Sequence, residues 1–221
     1  MSRQLLDARA AYRVWAPHYE VENAVTTLED TMVRELTPPL AGARLLDAAC
    51  GTARRLRAAH DASLRVGIDL VPEMLAVARE PLALIAGNLE ALPVRAAGFD
   101  VVWCRLALSH VQRLDLAYAE LARAAAPDAT IVISDFHATA AAAGHTRSFR
   151  ADDGQHIEVQ SFAYDADAHL RAAAAAGLHC TARTERGVAP EIEHFYAQAG
   201  HIDWYTRDLG LPLVLGLAFQ H

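Results

Sequence analysis

The segment Leu45-Leu46-Asp47-Ala48-Ala49-Cys50-Gly51-Thr52-Ala53 joins a short apolar run to a turn that contains Gly51. The run suits a strand buried on both faces of a sheet, and a helical pattern follows the turn. A second apolar run, VGIDL, reaches Asp69 about 20 residues after Asp47. An acidic residue at the end of a second strand is placed to accept the hydroxyl groups of a ribose. The segment therefore predicts an α/β sheet with a nucleoside site at the carboxyl ends of its strands.

Short apolar runs and helical patterns alternate along the rest of the chain. The runs lie at 43–49, 64–69, 82–86, 99–104, 130–134, 178–186 and 211–219. Helical patterns begin at Pro72 and Leu114, and Asp165 is placed to cap a helix that Gly177 closes. Residues 155–164 partly alternate, which predicts an extra strand or a hairpin arm. We expect a Rossmann-like, seven-stranded, mostly parallel sheet with helices on both faces.

Two segments exceed this minimal sheet. From Ser2 to about Leu36 apolar residues recur at helical spacing, with an interruption at Pro17, so residues 1–40 are predicted to be a helical lid. Residues 188–209 form an insertion before the last strand. Its aromatic residues either enclose a substrate or pack the insertion onto the sheet edge; they are Phe195, Tyr196, Trp204 and Tyr205.

Composition and charge exclude several classes of protein. The 221 residues are 53% hydrophobic and carry a formal charge of −7, which disfavours a dedicated nucleic-acid partner. All 20 basic residues are arginines, which excludes lysine chemistry. No apolar stretch reaches the roughly 18 residues of a membrane span. Cys50, Cys104 and Cys180 lack CxxC spacing, as in a reducing compartment, so we expect a cytoplasmic protein without a membrane span.

A third element falls at the predicted end of the third strand. The segment Gly87-Asn88-Leu89-Glu90-Ala91-Leu92-Pro93 places Asn88 beside the acidic strand ends. An asparagine side chain offers both a donor and an acceptor, which is enough to read an adenine edge. The ends of three neighbouring strands thus describe a nucleoside pocket.

These motifs together resemble the class I S-adenosylmethionine-dependent methyltransferases of the small-molecule type, related to the ubiquinone and biotin-pathway enzymes. The family's acidic-x-Gly-x-Gly-x-Gly motif aligns with residues 47–53, and its Gly-Asp-Ala-x-x-Leu-Pro motif aligns with residues 87–93. Residues 99–111 match the strand-four segment, and residues 12–20 resemble the lid that these enzymes fold over the cofactor. Alanine replaces glycine at Ala49 and Ala53, and Asn88 replaces an aspartate; we interpret these departures as tolerated.

The resemblance implies one domain over residues 1–221, with the lid at 1–40, a cofactor-binding half at 41–136 and a substrate half at 137–221 that includes a cap at 188–209. It implies S-adenosyl-L-methionine as cofactor and a small, apolar or aromatic metabolite as methyl acceptor, with oxygen favoured over carbon or nitrogen. The expected cofactor-binding residues are Tyr19, Asp47, Ala49, Cys50, Gly51, Asp69, Leu70, Met74, Asn88, Leu89 and Arg105.

Histidines near the strand ends are the candidates for a general base, because the imidazole pKa lies close to working pH. His110 follows the fourth strand and His137 follows the fifth, so both are predicted catalytic residues. Predicted substrate contacts are His18 and Tyr19 in the lid, and His145 and Arg147 after the fifth strand, where they would recognise an acidic group. No metal site is predicted, because Glu191 and His194 form only half of one.

Other functions share parts of this pattern. The same cofactor pocket serves enzymes that catalyse rearrangements, cyclisations or decarboxylations, and others that methylate RNA or protein. A nicotinamide-dependent oxidoreductase would need G-x-G-x-x-G, of which only Gly51 is present, and a first strand near the N-terminus. The sequence makes no prediction about the oligomeric state.

Overall fold

A computed structural model describes residues 3–221 of the chain. Its strands are β1 (Arg3–Leu6), β2 (Arg44–Ala48), β3 (Leu64–Asp69), β4 (Ala83–Ala86), β5 (Phe99–Arg105), β6 (Ala125–Phe136), β7 (Ser148–Arg150), β8 (His156–Val159), β9 (His179–Gly187) and β10 (Pro212–Gln220). Its α-helices are α1 (Ala8–Trp15), α2 (Ala24–Leu36), α3 (Arg54–Ala58), α4 (Pro72–Leu75), α5 (Leu114–Ala124), α6 (Ala138–Ala142), α7 (Ala166–Ala175), α8 (Glu193–Gln198) and α9 (Ile202–Asp208).

Seven strands form the main sheet, in the order β4-β3-β2-β5-β6-β10-β9. The first five run parallel, whereas β10 runs antiparallel to both β6 and β9. The predicted seven-stranded, mostly parallel α/β sheet is confirmed. Strand order reverses beside β2, since β3 lies on one side of it and β5 on the other. In open α/β sheets a ligand crevice forms at this reversal, outside the carboxyl ends of the strands.

The two consecutive leucines of β2 are both apolar because both faces of the sheet are covered. Leu45 and Leu46 point to opposite faces, and both are fully buried. Leu45 joins a cluster with Val33 of α2 and Leu56 of α3, whereas Leu46 joins the cluster that contains Leu121 of α5. Burial on both sides fixes the strand ends, and with them the positions of the polar residues that follow each strand.

A second, three-stranded sheet lies apart from the first, in the order β1-β8-β7. The 155–164 segment supplies β8, which pairs antiparallel with β7, so the predicted hairpin arm is confirmed. The predicted helix from Ser2 is wrong over Arg3–Leu6, which form β1 and pair parallel with β8; Ser2 itself lies outside the described residues. Only this distant partner makes the segment a strand, because its own sequence carries no β pattern. Helix α1 packs on this sheet through Ala11, which is buried against Ile157 and Val159.

Residues 188–209 pack at the other end of the main sheet. Ile192 is buried with Leu28 and Met32 of α2, and Phe195, Tyr196 and Tyr205 pack around them. Trp204 stays 48% exposed. Of the two alternatives for these aromatic residues, the structure favours packing onto the sheet edge. Across residues 3–221, no helix combines the length and apolar character that crossing a bilayer requires.

Exposed Ala97 adopts a left-handed backbone with φ of 51°. A Cβ in this conformation costs roughly 1–2 kcal/mol, whereas glycine adopts it without that cost. Ala97→Gly is therefore expected to raise the free energy of unfolding by about 0.5–1 kcal/mol, after allowing for the extra freedom of glycine in the unfolded chain. Urea unfolding measures the difference. The matched control is Ala96→Gly at the exposed neighbour, whose φ is not positive and which should lower stability. Equal effects of the two substitutions would contradict the explanation.

Candidate active site

A cleft opens at the carboxyl ends of β2, β3 and β4, where strand order reverses. It has two adjoining compartments that share Tyr19, Gly51 and Arg105 in their walls. The first has a volume of about 690 Å³ and is lined by, among others, Tyr12, Ala49, Asp69, Leu70, Met74, Asn88, Leu89 and His110. The second is lined by, among others, Glu29, Asp47, Cys50 and Arg55. All the cofactor-binding residues expected from the sequence line one compartment or the other.

Asp69 holds the turn that follows β2. Its carboxylate is 9% exposed, and accepts hydrogen bonds from the backbone N–H of Gly51 at 2.8 Å and of Val71 at 2.9 Å. Burial raises the pKa of this carboxyl, although the two N–H donors oppose the rise. The acid at the end of β3 thus fixes the loop after β2 while it faces the first compartment.

The loop after β2 keeps a glycine-like backbone even where it has lost glycine. Ala49 and Ala53 have φ of 72° and 57°, and Gly51 between them has φ of 57°. The backbone N–H groups of Ala49 and Cys50 both donate to the carbonyl of Ile68, at 2.7 and 2.9 Å. A Cβ at Gly51 would lie 3.2 Å from Met74 Cε and would narrow the cleft. The alanines at residues 49 and 53 therefore leave the turn intact, and the remaining glycine stands where a side chain would press on Met74.

Asp47 is a buried acid without a complete set of partners. It is 2% exposed, and its buried Oδ1 atom has no hydrogen-bond partner among the described residues 3–221. Burial raises the pKa of Asp47 to about 7, which the nearby Arg105 only partly opposes. Arg105 is itself paired with Glu29 at 2.6 Å and with Asp30 at 3.1 Å. An unpartnered carboxylate oxygen at the second compartment is suited to a cationic ligand.

Asn88 and Cys50 both line the cleft, where Asn88 presents an oriented amide and Cys50 a protonated thiol. Asn88 Oδ1 accepts a hydrogen bond from the backbone N–H of Glu90 at 3.1 Å, which orients the amide. Burial, with the charges of Asp47 and Asp69, raises the pKa of the Cys50 thiol, so this cysteine is not an activated nucleophile. Burial likewise raises the pKa of the Cys104 thiol in the core.

Aromatic residues of the predicted lid line the first compartment or pack beside it. Tyr12 stacks on Trp15 with ring centroids 5.7 Å apart, and Trp15 stacks on Phe149 of β7 at 4.5 Å. Tyr19 packs edge-on against Tyr12 at 5.7 Å. The lid thus joins residues near the start of the chain to the β7–β8 hairpin.

His110 lines the first compartment, and two hydrogen bonds determine which of its ring nitrogens carries the proton. Its Nδ1 atom is 3.0 Å from the carbonyl of Gln160, which only accepts, so Nδ1 carries the proton. Its Nε2 atom is 3.0 Å from the Tyr12 hydroxyl and accepts from it. Burial, together with the positive charge of Arg147, lowers the pKa of His110 to about 4. The imidazole is neutral at physiological pH, with its free lone pair directed at Tyr12.

The other predicted histidines lie elsewhere. His137 caps α6 by accepting from the Thr139 N–H at 3.1 Å, and its Nε2 is 3.7 Å from Glu185. His145 is 2.9 Å from Asp208, which belongs to α9. His18 is 58% exposed and pairs with Asp152 at 2.8 Å. Neither His137 nor His145 lines the cleft, and their predicted catalytic and substrate roles stay predictions.

Arg147 reaches the lid from the loop before β7. Its Nη2 atom donates to the Tyr19 hydroxyl at 3.3 Å. Together with Trp15, His18 and Phe136 it lines a neighbouring outer cleft of about 770 Å³. The sequence predicts Arg147, Tyr19 and His18 as substrate contacts. Arg147 and His18 line the outer cleft, and Tyr19, which Arg147 contacts, lines the cofactor cleft beside it.

Sequence reasoning missed two groups in the site. Tyr12 was assigned only to the lid, although its hydroxyl bonds His110. Glu29 was missed because it lies in a regular amphipathic helix, where nothing in the local pattern marks it as the partner of Arg105. The available indication is that Glu29 is an acid on the face of α2 that the sequence predicts to be buried; in the structure it is 3% exposed. Within residues 3–221 no group of three metal-binding side chains is present.

Comparisons with known proteins agree with this geometry. Residues 46–133 match the family described as a methyltransferase domain. The chain is 33% identical over 129 residues to a malonyl-[acyl-carrier protein] O-methyltransferase from Enterobacter lignolyticus, covering 57% of this chain and 51% of that protein. It is 33% identical over 150 residues to a demethylmenaquinone methyltransferase from Renibacterium salmoninarum, covering 62% and 63%. The chain thus spans between half and two thirds of the length of these relatives.

Solved structures share this fold. An S-adenosylmethionine dependent methyltransferase from Mesorhizobium loti superposes with a TM-score of 0.69 at 20% identity, over 88% of this chain and 98% of that one. Sheet order and cleft define an α/β protein with a nucleoside-type cofactor site at its strand ends. Residues 46–133 thus match a methyltransferase domain, and the chain shares its fold with an S-adenosylmethionine dependent methyltransferase.

The raised pKa of Asp47 has a consequence for stability. Because the folded-state pKa lies above the unfolded one, the contribution of Asp47 to the free energy of unfolding falls as pH rises from about 4 to about 7. Asp47→Asn removes this loss. At roughly 1.4 kcal/mol per pKa unit, we expect the variant to be about 1–4 kcal/mol more stable than the wild type at pH 8, without cofactor, and equal to it near pH 4.

Urea unfolding across this pH range tests the expectation. The control is Asp100→Asn, because hydrogen bonds from Arg44 hold the pKa of Asp100 at about 2 and its removal should act in the opposite direction at pH 8. A destabilised Asp47→Asn protein at pH 8 would contradict the assignment.

The environment of His110 predicts its titration. In ¹⁵N NMR of the histidine side chains, we expect His110 to be the Nδ1-protonated tautomer at pH 7, with a titration midpoint near 4. Arg147→Gln should raise this midpoint, because the guanidinium charge opposes protonation of the imidazole. A wild-type midpoint above 6 would show that burial and Arg147 do not control the ring.

Proposed function

We propose that this protein transfers a methyl group from S-adenosylmethionine to a small metabolite, with an oxygen atom as the favoured acceptor. The observation that carries the proposal is the row of polar residues at three adjacent strand ends, Asp47, Asp69 and Asn88, in one continuous cleft. The named relatives are a malonyl-[acyl-carrier protein] O-methyltransferase and a demethylmenaquinone methyltransferase, and they support a metabolite-sized acceptor.

The residues of the cleft fit this cofactor. The unpartnered oxygen of Asp47 provides an anionic acceptor suited to the cofactor's ammonium group. Asp69 provides a buried carboxylate for the ribose hydroxyls, and Leu70 and Leu89 provide apolar surface for adenine. Asn88, oriented by its bond to Glu90, keeps its amide N–H groups for the adenine edge. Met74 and Tyr19 both lie against Gly51, 3.2 and 3.5 Å from the position that a Cβ there would take.

When bound, the cofactor supplies a sulfonium methyl group that is already a good electrophile. The protein's task is therefore to orient the acceptor, exclude water and deal with the acceptor's proton. Tyr12 and Tyr19 line the cofactor cleft and Trp15 packs against both, so these side chains are placed to keep water from it. Arg54 connects the wall of the second compartment to the predicted lid, because its Nη1 atom donates to the Glu20 carbonyl at 2.6 Å.

His110 is the candidate catalytic residue that the geometry supports. Its Nε2 lone pair is directed into the cleft and now accepts from Tyr12. An acceptor hydroxyl that replaces the Tyr12 hydroxyl there can donate its proton to Nε2, and the Gln160 carbonyl stabilises the opposite Nδ1–H. A pKa of about 4 makes this imidazole a weak base, so it suits an acidic hydroxyl or an acceptor that is already ionised.

The same proposal includes a cytoplasmic location. The three cysteines are all free, and their sequence positions leave them without CxxC pairing. Unpaired cysteines are the usual state in a reducing compartment. His137 and His145 remain predicted contacts for catalysis or substrate that line neither cleft, whereas His18 lines the outer cleft.

Calorimetric titration with S-adenosylhomocysteine tests the cofactor site. We expect the wild type to bind and Asp69→Asn to bind at least tenfold more weakly, a loss of about 1.4 kcal/mol or more, because a neutral amide accepts the ribose hydroxyls less strongly. Asparagine keeps one acceptor for the Gly51 or Val71 N–H, so the turn is disturbed as little as possible.

The matched control is Asp128→Asn, at an exposed acid of β6 that lines neither compartment. This variant should bind like the wild type. Failure of the wild type to bind S-adenosylhomocysteine would overturn the proposed function, and equal binding by Asp69→Asn would overturn the role of Asp69.

A further inference from the structure

The outer cleft contains a cation without a counter-ion. Arg147 lies at its inner end, and its Nε atom is buried with no hydrogen-bond partner. Among residues 3–221, no carboxylate lies within ion-pair distance of its guanidinium; its polar neighbours are the hydroxyls of Tyr12 and Tyr19. A sequestered charge with only neutral partners is costly, so its retention calls for a ligand.

Other arginines around the cleft show the contrast. Arg105 is paired with Glu29 at 2.6 Å, and Arg55 with Asp30 at 3.0 Å. Glu22 also lines the outer cleft, but it is already shared between Arg54 at 3.2 Å and Arg55 at 3.0 Å. The acids near the outer cleft are thus engaged elsewhere, and the charge of Arg147 is left uncompensated.

The remaining walls of the outer cleft suit an organic anion. Thr146 and Ser148 flank Arg147 in the sequence and line the same cleft. Thr146 Oγ1 accepts a hydrogen bond from Arg3, and each hydroxyl can still donate its proton to a ligand. Trp15, Val25 and Phe136 provide the apolar walls. A guanidinium offers several donors in a fixed plane, which matches the oxygens of a carboxylate or a phosphate.

Arg147 also lies next to the reaction site. Tyr19, which accepts from Arg147, lines both compartments of the cofactor cleft, and the charge of Arg147 lowers the pKa of His110. A group bound at Arg147 is therefore within one side chain of the cleft. An anion there would occupy the boundary between the outer cleft and the cofactor.

We propose that the outer cleft is the acceptor-binding site and that Arg147 anchors an anionic group, a carboxylate or a phosphate, of the methyl acceptor. This inference rests on the proposed function and adds the chemical class of the substrate. Arg147 is then the residue that selects acidic acceptors over neutral ones of the same shape. The anchored anion and the methylated oxygen need not be the same group.

Titration calorimetry on the enzyme saturated with S-adenosylhomocysteine tests this assignment. The probes are hexanoate, benzoate and phenyl phosphate, each compared with its neutral counterpart hexanamide, benzamide or phenol. In the wild type we expect at least one anion to bind tenfold or more tightly than its counterpart. Arg147→Gln should abolish that preference, and Arg147→Lys should retain a reduced preference because the charge remains but the planar donor set is lost. Whether the carboxylates or the phosphate show the preference identifies the anion.

The control variant is Arg150→Gln, at an exposed arginine on the same hairpin that lines no wall of the outer cleft, and it should keep the full preference. Absence of any anion preference in the wild type, or its survival in Arg147→Gln, would overturn the proposal. Weaker binding of S-adenosylhomocysteine by Arg147→Gln would also overturn it, by assigning Arg147 to the cofactor. If the wild type fails to bind S-adenosylhomocysteine at all, the proposed function itself fails, which distinguishes the two ideas.

Thermal unfolding separates binding from a structural role. Without ligand, Arg147→Met should be at least as stable as the wild type, because it removes a sequestered and uncompensated charge. A loss of several degrees in Tm together with an unchanged anion preference would show that Arg147 serves only to hold the lid.

Discussion

The buried ion pair between Glu29 and Arg105 is the interaction on which the rest of the site depends. Arg105 Nε donates to Glu29 Oε1 at 2.8 Å, and Nη2 donates to Oε2 at 2.6 Å. The side chains are 8% and 4% exposed. Ser134 adds a third donor to Glu29 at 2.7 Å, so α2 is joined to both β5 and β6. Loss of either partner would leave a buried charge and cost about 3–5 kcal/mol.

This ion pair also determines which charged groups of the cleft lack a partner. Because Glu29 and Asp30 neutralise Arg105, the nearest cation is not free to pair with Asp47. The floor of the cleft therefore keeps an acid whose ionised form lacks a partner, and a cationic ligand can stabilise it. Near Tyr12 and Tyr19 the balance is reversed, since Arg147 has phenol neighbours and, within the part of the chain that the structure describes, no carboxylate partner. The two faces of the site are thus prepared for ligands of opposite charge.

The sheet was predictable because its signals are local. Leu45 and Leu46 are both apolar because both faces of β2 are covered, and the acids at residues 47 and 69 follow directly from where those strands end. Strand β1 was not predictable, because Arg3–Leu6 become a strand only by pairing with β8, more than 150 residues away. The left-handed backbone at Ala49 was not predictable either, because alanine rarely adopts a positive φ, whereas a glycine at that position would have indicated one.

The cofactor site depends on local sequence signals, whereas the proposed acceptor site depends on contacts between distant residues. Asp47, Gly51, Asp69 and Asn88 lie at the end of a single strand or just after it, so each can be read from a short motif in the sequence. The contact of Tyr12 with His110, and of Tyr19 with Arg147, joins residues 98 and 128 positions apart. These contacts exist only when α1 is packed on the β7–β8 hairpin, which Trp15 and Phe149 accomplish by stacking at 4.5 Å. Acceptor selectivity can therefore change through lid residues while the motifs at the strand ends stay the same.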